Sequence, residues 1–213
     1  MTPSRREILK LLGAASLAAP FGTLGCSLKR GDEPKLLKSQ VRLPEAFVTP
    51  LQIPPTLKPT QTDVAGDLYE ITVSSGRAEI LPGFQTEVWG YNGIFPGPTI
   101  EARSGRRVVI RVRNELPVPI VNHLHGGCTP PESDGYPTDF VLPVGGSFPM
   151  SMLDPASIVA QGTRDYTYPN EQRAATLWYH DHRMDFTGPQ VWRGLAGFYI
   201  IRDKAEDAFP LPR

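Results

Sequence analysis

All four histidines of this 213-residue chain stand in H-x-H units, His123-Leu124-His125 and His180-Asp181-His182. That spacing restricts the backbone. In a strand successive side chains alternate faces, so residues i and i+2 point the same way, roughly 6.5–7 Å apart. A helix would send them to diverging faces. Both units therefore predict extended backbone with imidazole pairs on one side of a strand. Neutral imidazole ligates zinc, copper, iron and nickel, so the pairs predict metal binding without choosing the ion. Some zinc sites also use H-x-H on a strand, completed by a third histidine or a carboxylate. Two pairs exceed that need, and several ions bridged by paired histidines fit better.

The first 26 residues read as a targeting segment and are set apart from the fold. Ser4-Arg5-Arg6-Glu7-Ile8-Leu9-Lys10 is a twin-arginine pattern, followed by an apolar run from Leu11 to Gly25 that Gly13, Pro20 and Gly22 interrupt. That run is too short and weak to span a bilayer. Export by the twin-arginine route is expected, with a periplasmic or extracellular destination. Cys26 follows Thr23-Leu24-Gly25, a poor lipid-attachment box, so a lipid anchor at Cys26 is the lesser alternative and the one expected route to a membrane.

The remainder suits one domain of ordinary size. Lys+Arg and Asp+Glu balance at 22 each, which leaves no field to draw nucleic acid or an acidic membrane surface. The two cysteines, Cys26 and Cys128, exclude a disulfide framework once Cys26 leaves with the signal or is lipidated.

Residues 27–66 are expected to form an extended arm. Pro34, Pro44, Pro50, Pro54, Pro55 and Pro59 remove amide donors and fix φ, which forbids a central strand or helix interior. Phe47, Val48, Leu51, Ile53 and Leu57 are the expected points of adhesion. From residue 67 to 205 short strands alternate with turns, the pattern of a sandwich or barrel. Leu68–Ser74, Thr86–Tyr91 and Gly194–Ile201 read as strands. Arg106–Asn114 is the clearest, with Val108, Ile110 and Val112 alternating against Arg107, Val109, Arg111 and Arg113. Its arginines fit a solvated face better than a binding stripe. Only Asp185–Arg193 suggests a helical period, and 206–213 reads as the start of a connector.

Longer motifs now carry a resemblance. H-L-H-G-G (123–127), P-P-E-S-D-G-Y-P (130–137), Y-P-N-E-Q-R (168–173), L-W-Y-H-D-H (177–182), R-G-L-A-G-F-Y-I-I-R-D (193–203) and V-W-G-Y-N-G-I-F-P-G-P-T-I-E (88–101) resemble the first cupredoxin domain of multicopper oxidases. The nearest subgroup is that of bacterial spore-coat laccases and bilirubin oxidases, whose N-terminal segment the proline-rich arm also resembles.

The resemblance implies an all-β, Greek-key cupredoxin-like sandwich (a plastocyanin-like domain) that supplies half of a trinuclear copper cluster. There dioxygen is reduced to water while phenolic or similar substrates are oxidised elsewhere. It further implies His123 at the type 2 copper, His125 and His180 at one type 3 copper, and His182 at the other. Asp134 matches an acidic residue credited with proton delivery, although a turn-former beside Gly135 explains it equally well. Trp178 and Tyr179 are expected to pack in the core in preference to an electron-transfer role, Cys128 to be a small buried residue in preference to a thiol liable to oxidation, and Asp181 to fix backbone or a ring N–H.

The sequence also departs from the family. The type 1 copper needs an H-C-H segment, and this sequence has none. Four histidines over three coppers give no ion more than two ligands, fewer than a stable site has. The chain is therefore expected to be incomplete and inactive alone. Its expected partners are the second and third cupredoxin domains or a second copy of itself. The alternative is a non-catalytic exported copper-binding or structural protein of the same fold.

Overall fold

The alternation read in Arg106–Asn114 is realised in β5 (Val108–Asn114): Val108, Ile110 and Val112 are buried, while Arg111 and Arg113 face solvent. Those arginines are answered by surface carboxylates, Arg111 by Asp165 at 2.8 Å and Arg113 by Glu115 at 2.8 Å. The computed structural model describes residues 41–146 and 156–210. The twin-arginine segment, Cys26 and the first part of the arm lie outside the described residues. Among those described, no helix is long and apolar enough to cross a membrane.

The other strands are β1 (Gln61–Asp63), β2 (Gly66–Leu81), β3 (Phe84–Tyr91), β4 (Gly97–Arg103), β6 (Asn122–His125), β7 (Val141–Leu142), β8 (Ala160–Gln161), β9 (Thr163–Tyr168), β10 (Ala175–Asp181) and β11 (Ala196–Arg202). One sheet runs β1-β2-β5-β9 with β3 beside β2, and the other runs β4-β11-β10-β6. Neighbours such as β2 and β5, or β4 and β11, are parallel and distant in sequence, the crossovers of a Greek key. The all-β cupredoxin-like sandwich is therefore present.

The core lies between the sheets. Tyr69, Ile71, Val73, Tyr166 and Tyr168 come from one side, and Ile100, Leu124, Leu177, Tyr179, Tyr199 and Ile201 from the other. Helix α1 (Thr187–Trp192) falls inside the expected Asp185–Arg193 segment. Helix α2 (Lys204–Asp207), capped by the Asp203 carboxylate on the Glu206 amide, crosses the boundary expected at 205/206.

The arm departs from expectation. Phe47, Val48, Leu51 and Ile53 are exposed, and of the five apolar residues named only Leu57 packs against the core. Main-chain pairing explains the difference, because Leu57 N–H donates to Thr99 O and Thr99 N–H to Pro55 O. Adhesion occurs where the chain presents a carbonyl and an amide to β4, and apolar character alone does not place it.

Tyr179 ties the second sheet together. Its hydroxyl donates to the Pro98 carbonyl at 2.6 Å, and its ring lies against Gly197, where a Cβ would meet the ring at 2.4 Å. Gly197→Ala is expected to cost about 1–3 kcal/mol through overpacking. The urea midpoint measures it, and an unchanged midpoint would refute this account of the β10–β11 contact.

Candidate metal centre

Burial parity decides where the histidines point. Asn122 and Leu124 in β6, and Leu177, Tyr179 and Asp181 in β10, are buried toward the core. The residues alternating with them, His123, His125, Trp178 and His180, must face the opposite side of the sheet. Antiparallel pairing then sets His180 directly across from His123, and Trp178 across from His125. His182 lies one residue beyond β10, and its N–H donates to the Val121 carbonyl at 2.9 Å, which extends the ladder. All four predicted ligands thus share one face.

Ring centroids separate His123 from His125, His180 and His182 by 5.6, 5.4 and 5.1 Å. One nitrogen each from His123, His125 and His180 lies within 4.8 Å of the others, an arrangement that could hold a metal ion. His182 stands outside that group of three, 5.5 Å from His180 by ring centroid, and its buried Nδ1 has no hydrogen-bond partner. His125 Nδ1 and His180 Nε2 lie within hydrogen-bond distance, at 3.3 Å.

Main-chain carbonyls orient two of the rings. His123 Nδ1 donates to the Asp134 carbonyl, and His180 Nδ1 to the Asp181 carbonyl at 2.8 Å. Each bond consumes the Nδ1 proton and leaves Nε2 with its lone pair, the form a metal requires. Gly135 makes the first possible, since it has φ +75° and a Cβ there would sit 2.2 Å from the Asn122 carbonyl. The turn that presents Asp134 is a 3-10 segment, Pro131–Ser133, pinned to β9. Arg164 donates to the Glu132 carbonyl at 2.7 Å, and the Thr167 amide to Ser133 Oγ at 2.9 Å. Arg164 itself is buried in an ion pair with Asp139.

Asp134 is a turn residue whose carbonyl does the orienting. Its half-exposed carboxylate accepts from Thr129 and stands 3.6 Å from His123 Nδ1. Asp181 fixes backbone through its carboxylate, which accepts from the amides of Val121 at 2.8 Å and Arg183 at 3.1 Å, and a ring N–H through its main-chain carbonyl, which accepts from His180. Burial raises its pKa to about 7. Burial also lowers His180 to about 4, and the neighbouring histidines add to the effect, so this imidazole is neutral near pH 7.

Two expectations need correction. Trp178 is not a core residue; it lies half-buried on the histidine face, its ring 3.9 Å from that of His180 and 5.2 Å from that of His125. The signal was present, because Trp178 precedes His180 by two residues in the same strand. Cys128 is exposed and free, since the chain leaves β6 at His125 and turns outward through Gly126 and Gly127. Arg164 and Ser133 escaped sequence reasoning, since their contacts join segments 32 and 34 residues apart.

Comparison with known proteins gives one consistent answer. The family model described as multicopper oxidase matches residues 72–206. The laccase of Bacillus subtilis (strain 168) is 39% identical over 193 residues, covering 79% of this chain and 36% of its own. The cell division protein FtsP of Proteus mirabilis (strain HI4320) is 30% identical over 213 residues, covering 100% of this chain and 37% of its own. A crystal structure of laccase from Pediococcus acidilactici superposes with a TM-score of 0.67 at 33% identity, covering 81% of this chain and 34% of that one. The chain spans a little over a third of the length of these two curated relatives.

His180 and Asp181 give the metal-free protein opposing pH dependences. The folded state holds His180 at about 4, below its ordinary 6.5, so its contribution is lost as pH falls from 6.5 toward 4. Asp181 is held at about 7, above its ordinary 3.8, so its contribution is lost as pH rises from 3.8 toward 7. Solvent screening makes roughly 3–4 kcal/mol an upper bound for each change. In chemical denaturation between pH 4.5 and 7, His180→Asn is expected to uncover a stability that falls with pH, and Asp181→Asn one that rises. Parallel profiles for the two variants would contradict the assignment.

Proposed function

Because this chain belongs to the multicopper oxidase family, we propose that its histidine face is one wall of a trinuclear copper cluster. His123 serves the type 2 copper, His125 and His180 share one type 3 copper, and His182 serves the other. The observation that carries this reading is the 3.3 Å between His125 Nδ1 and His180 Nε2. Two imidazole nitrogens bound to one ion at about 2.0–2.1 Å each lie about 3.3 Å apart when the angle between them is near tetrahedral. The donor chemistry fits as well. Two rings have Nδ1 tied to carbonyls, which leaves each Nε2 its lone pair, His180 is neutral, and the unpartnered Nδ1 of His182 marks a ring that the protein's own bonds do not satisfy.

Copper bound here would supply the four-electron reduction of dioxygen to water, in the manner of a laccase-type oxidoreductase. This chain's residues hold and orient. The carbonyls of Asp134 and Asp181 keep His123 and His180 in the ligating tautomer. The Asp134 carboxylate, half exposed beside His123, is the group placed to deliver protons from solvent to the site. Four imidazoles for three ions leave most coordination positions to donors outside this sequence, either the second and third cupredoxin domains or a second copy. Electrons must arrive through those same partners, since no H-C-H segment is present. The twin-arginine pattern supports export to the periplasm or cell exterior, with copper loaded before or during transit.

The match over 213 residues to a protein named for cell division, and not for an oxidase, gives footing to a second reading, a non-catalytic exported copper-binding or structural protein of the same fold. Copper binding separates the oxidase wall from the purely structural form of this alternative, and turnover bears on its copper-binding form. The purified chain is expected to take up Cu(II) through the histidine face, with His125→Ala and His180→Ala each lowering affinity at least tenfold, and to show no oxidation of phenolic dyes in air. Absence of any uptake would favour the non-catalytic reading, and turnover by the isolated chain would overturn the requirement for outside donors.

A further inference from the structure

Two of the histidines have rings locked by main-chain carbonyls, but His125 does not. It is exposed, and among the described residues its one ring hydrogen bond is to His180, Nδ1 to Nε2 at 3.3 Å. An exposed imidazole with two free torsions can turn that edge to solvent or present its other nitrogen instead, so a further contact must hold it. Trp178 supplies one. It stands directly across the β10–β6 ladder from His125, and its indole stacks on that imidazole with centroids 5.2 Å apart and planes inclined by 26°. The same indole stacks on His180 at 3.9 Å and 22°. One flat surface therefore backs both rings, which lie 38° from coplanar with each other.

We propose that Trp178 is the positioning residue of the His125–His180 pair, its indole plane clamping His125 so that Nδ1 faces His180 Nε2 and the two nitrogens meet a single ion. The proposal rests on the reading of the histidine face as a metal-binding wall, and it adds the reason why an exposed ligand is held ready. The plane of the indole is what acts. Trp178 also lines an apolar groove of about 770 Å³ with Val88, Phe95, Val191 and Trp192, so bulk alone would give it a place in the structure. A variant that keeps bulk and loses the flat face separates the two roles.

The metal-free protein offers a readout of its own. In the metal-free protein His180 spends its Nδ1 proton on the Asp181 carbonyl, which leaves Nε2 as acceptor, so His125 carries its proton on Nδ1; an ion held between the two nitrogens would replace that proton, which moves to His125 Nε2. Nitrogen-15 NMR of the full chain reads that tautomer, and titration with Cu(II) alone reads the affinity. The expected result is a single Nδ1–H tautomer for His125 in the wild type and in Trp178→Phe, and a mixture in Trp178→Leu and Trp178→Ala. Cu(II) affinity should fall about 10–100-fold in the Leu and Ala variants, as for other groups that orient metal ligands, and stay within about threefold for Phe.

If the Leu variant keeps both the single tautomer and the affinity, the proposal is overturned. Should Ala fail to fold, Leu and Phe decide the matter. If the wild type takes up no Cu(II), the copper reading fails by itself, while the tautomer of His125 in the metal-free Leu variant still decides for or against Trp178.

Discussion

The candidate site depends on parity in two paired strands. In β6 and β10 every second residue is committed to the core: Asn122, Leu124, Leu177, Tyr179 and Asp181. Shifting either strand by one residue would turn the histidines into the apolar core and the tyrosine and leucines out of it, a change opposed by the whole apolar interior. Packing between the sheets therefore fixes the direction of the imidazoles before any ion is present. The cross-strand match of His180 with His123 follows from the same register.

Around that ladder the protein adds polar fixtures of short reach. The Asp181 carboxylate holds the amides of Val121 and Arg183, which keeps β6 and the segment after β10 in step. Arg164 and the Thr167 amide hold the 3-10 turn against β9, and the turn in its place offers the Asp134 carbonyl to His123. These bonds are few and at least partly buried, where each lost partner strands a polar group. The face they support is apolar and aromatic at its margin, with Trp178 leading into the groove near Trp192.

Much of this was legible in the residues. Periodicity gave the strands, because Val108, Ile110 and Val112 or Tyr69, Ile71 and Val73 need only be compared with their neighbours. The H-x-H spacing gave the shared face of the ligands, and the same rule applied two residues earlier would have placed Trp178 beside them. What stayed hidden depends on contacts between distant segments. No local pattern marks Arg164 as the anchor of residue 132, or Gly135 as the point where a turn passes Asn122. The arm shows the complementary failure, since Phe47 and Leu51 look adhesive and are exposed, while attachment comes from main-chain pairing at residues 55–57.

The bond from His123 to the carbonyl of residue 134 has a consequence for how this site can change. A main-chain oxygen is indifferent to the side chain that accompanies it, so exchange at position 134 leaves the orientation of His123 untouched while altering charge at the site's edge. The fragile point is the next residue, which has no side chain to lose and no room to gain one. Variation across such domains can thus retune the charge beside the ligand freely, while the glycine behind it is held constant by geometry alone.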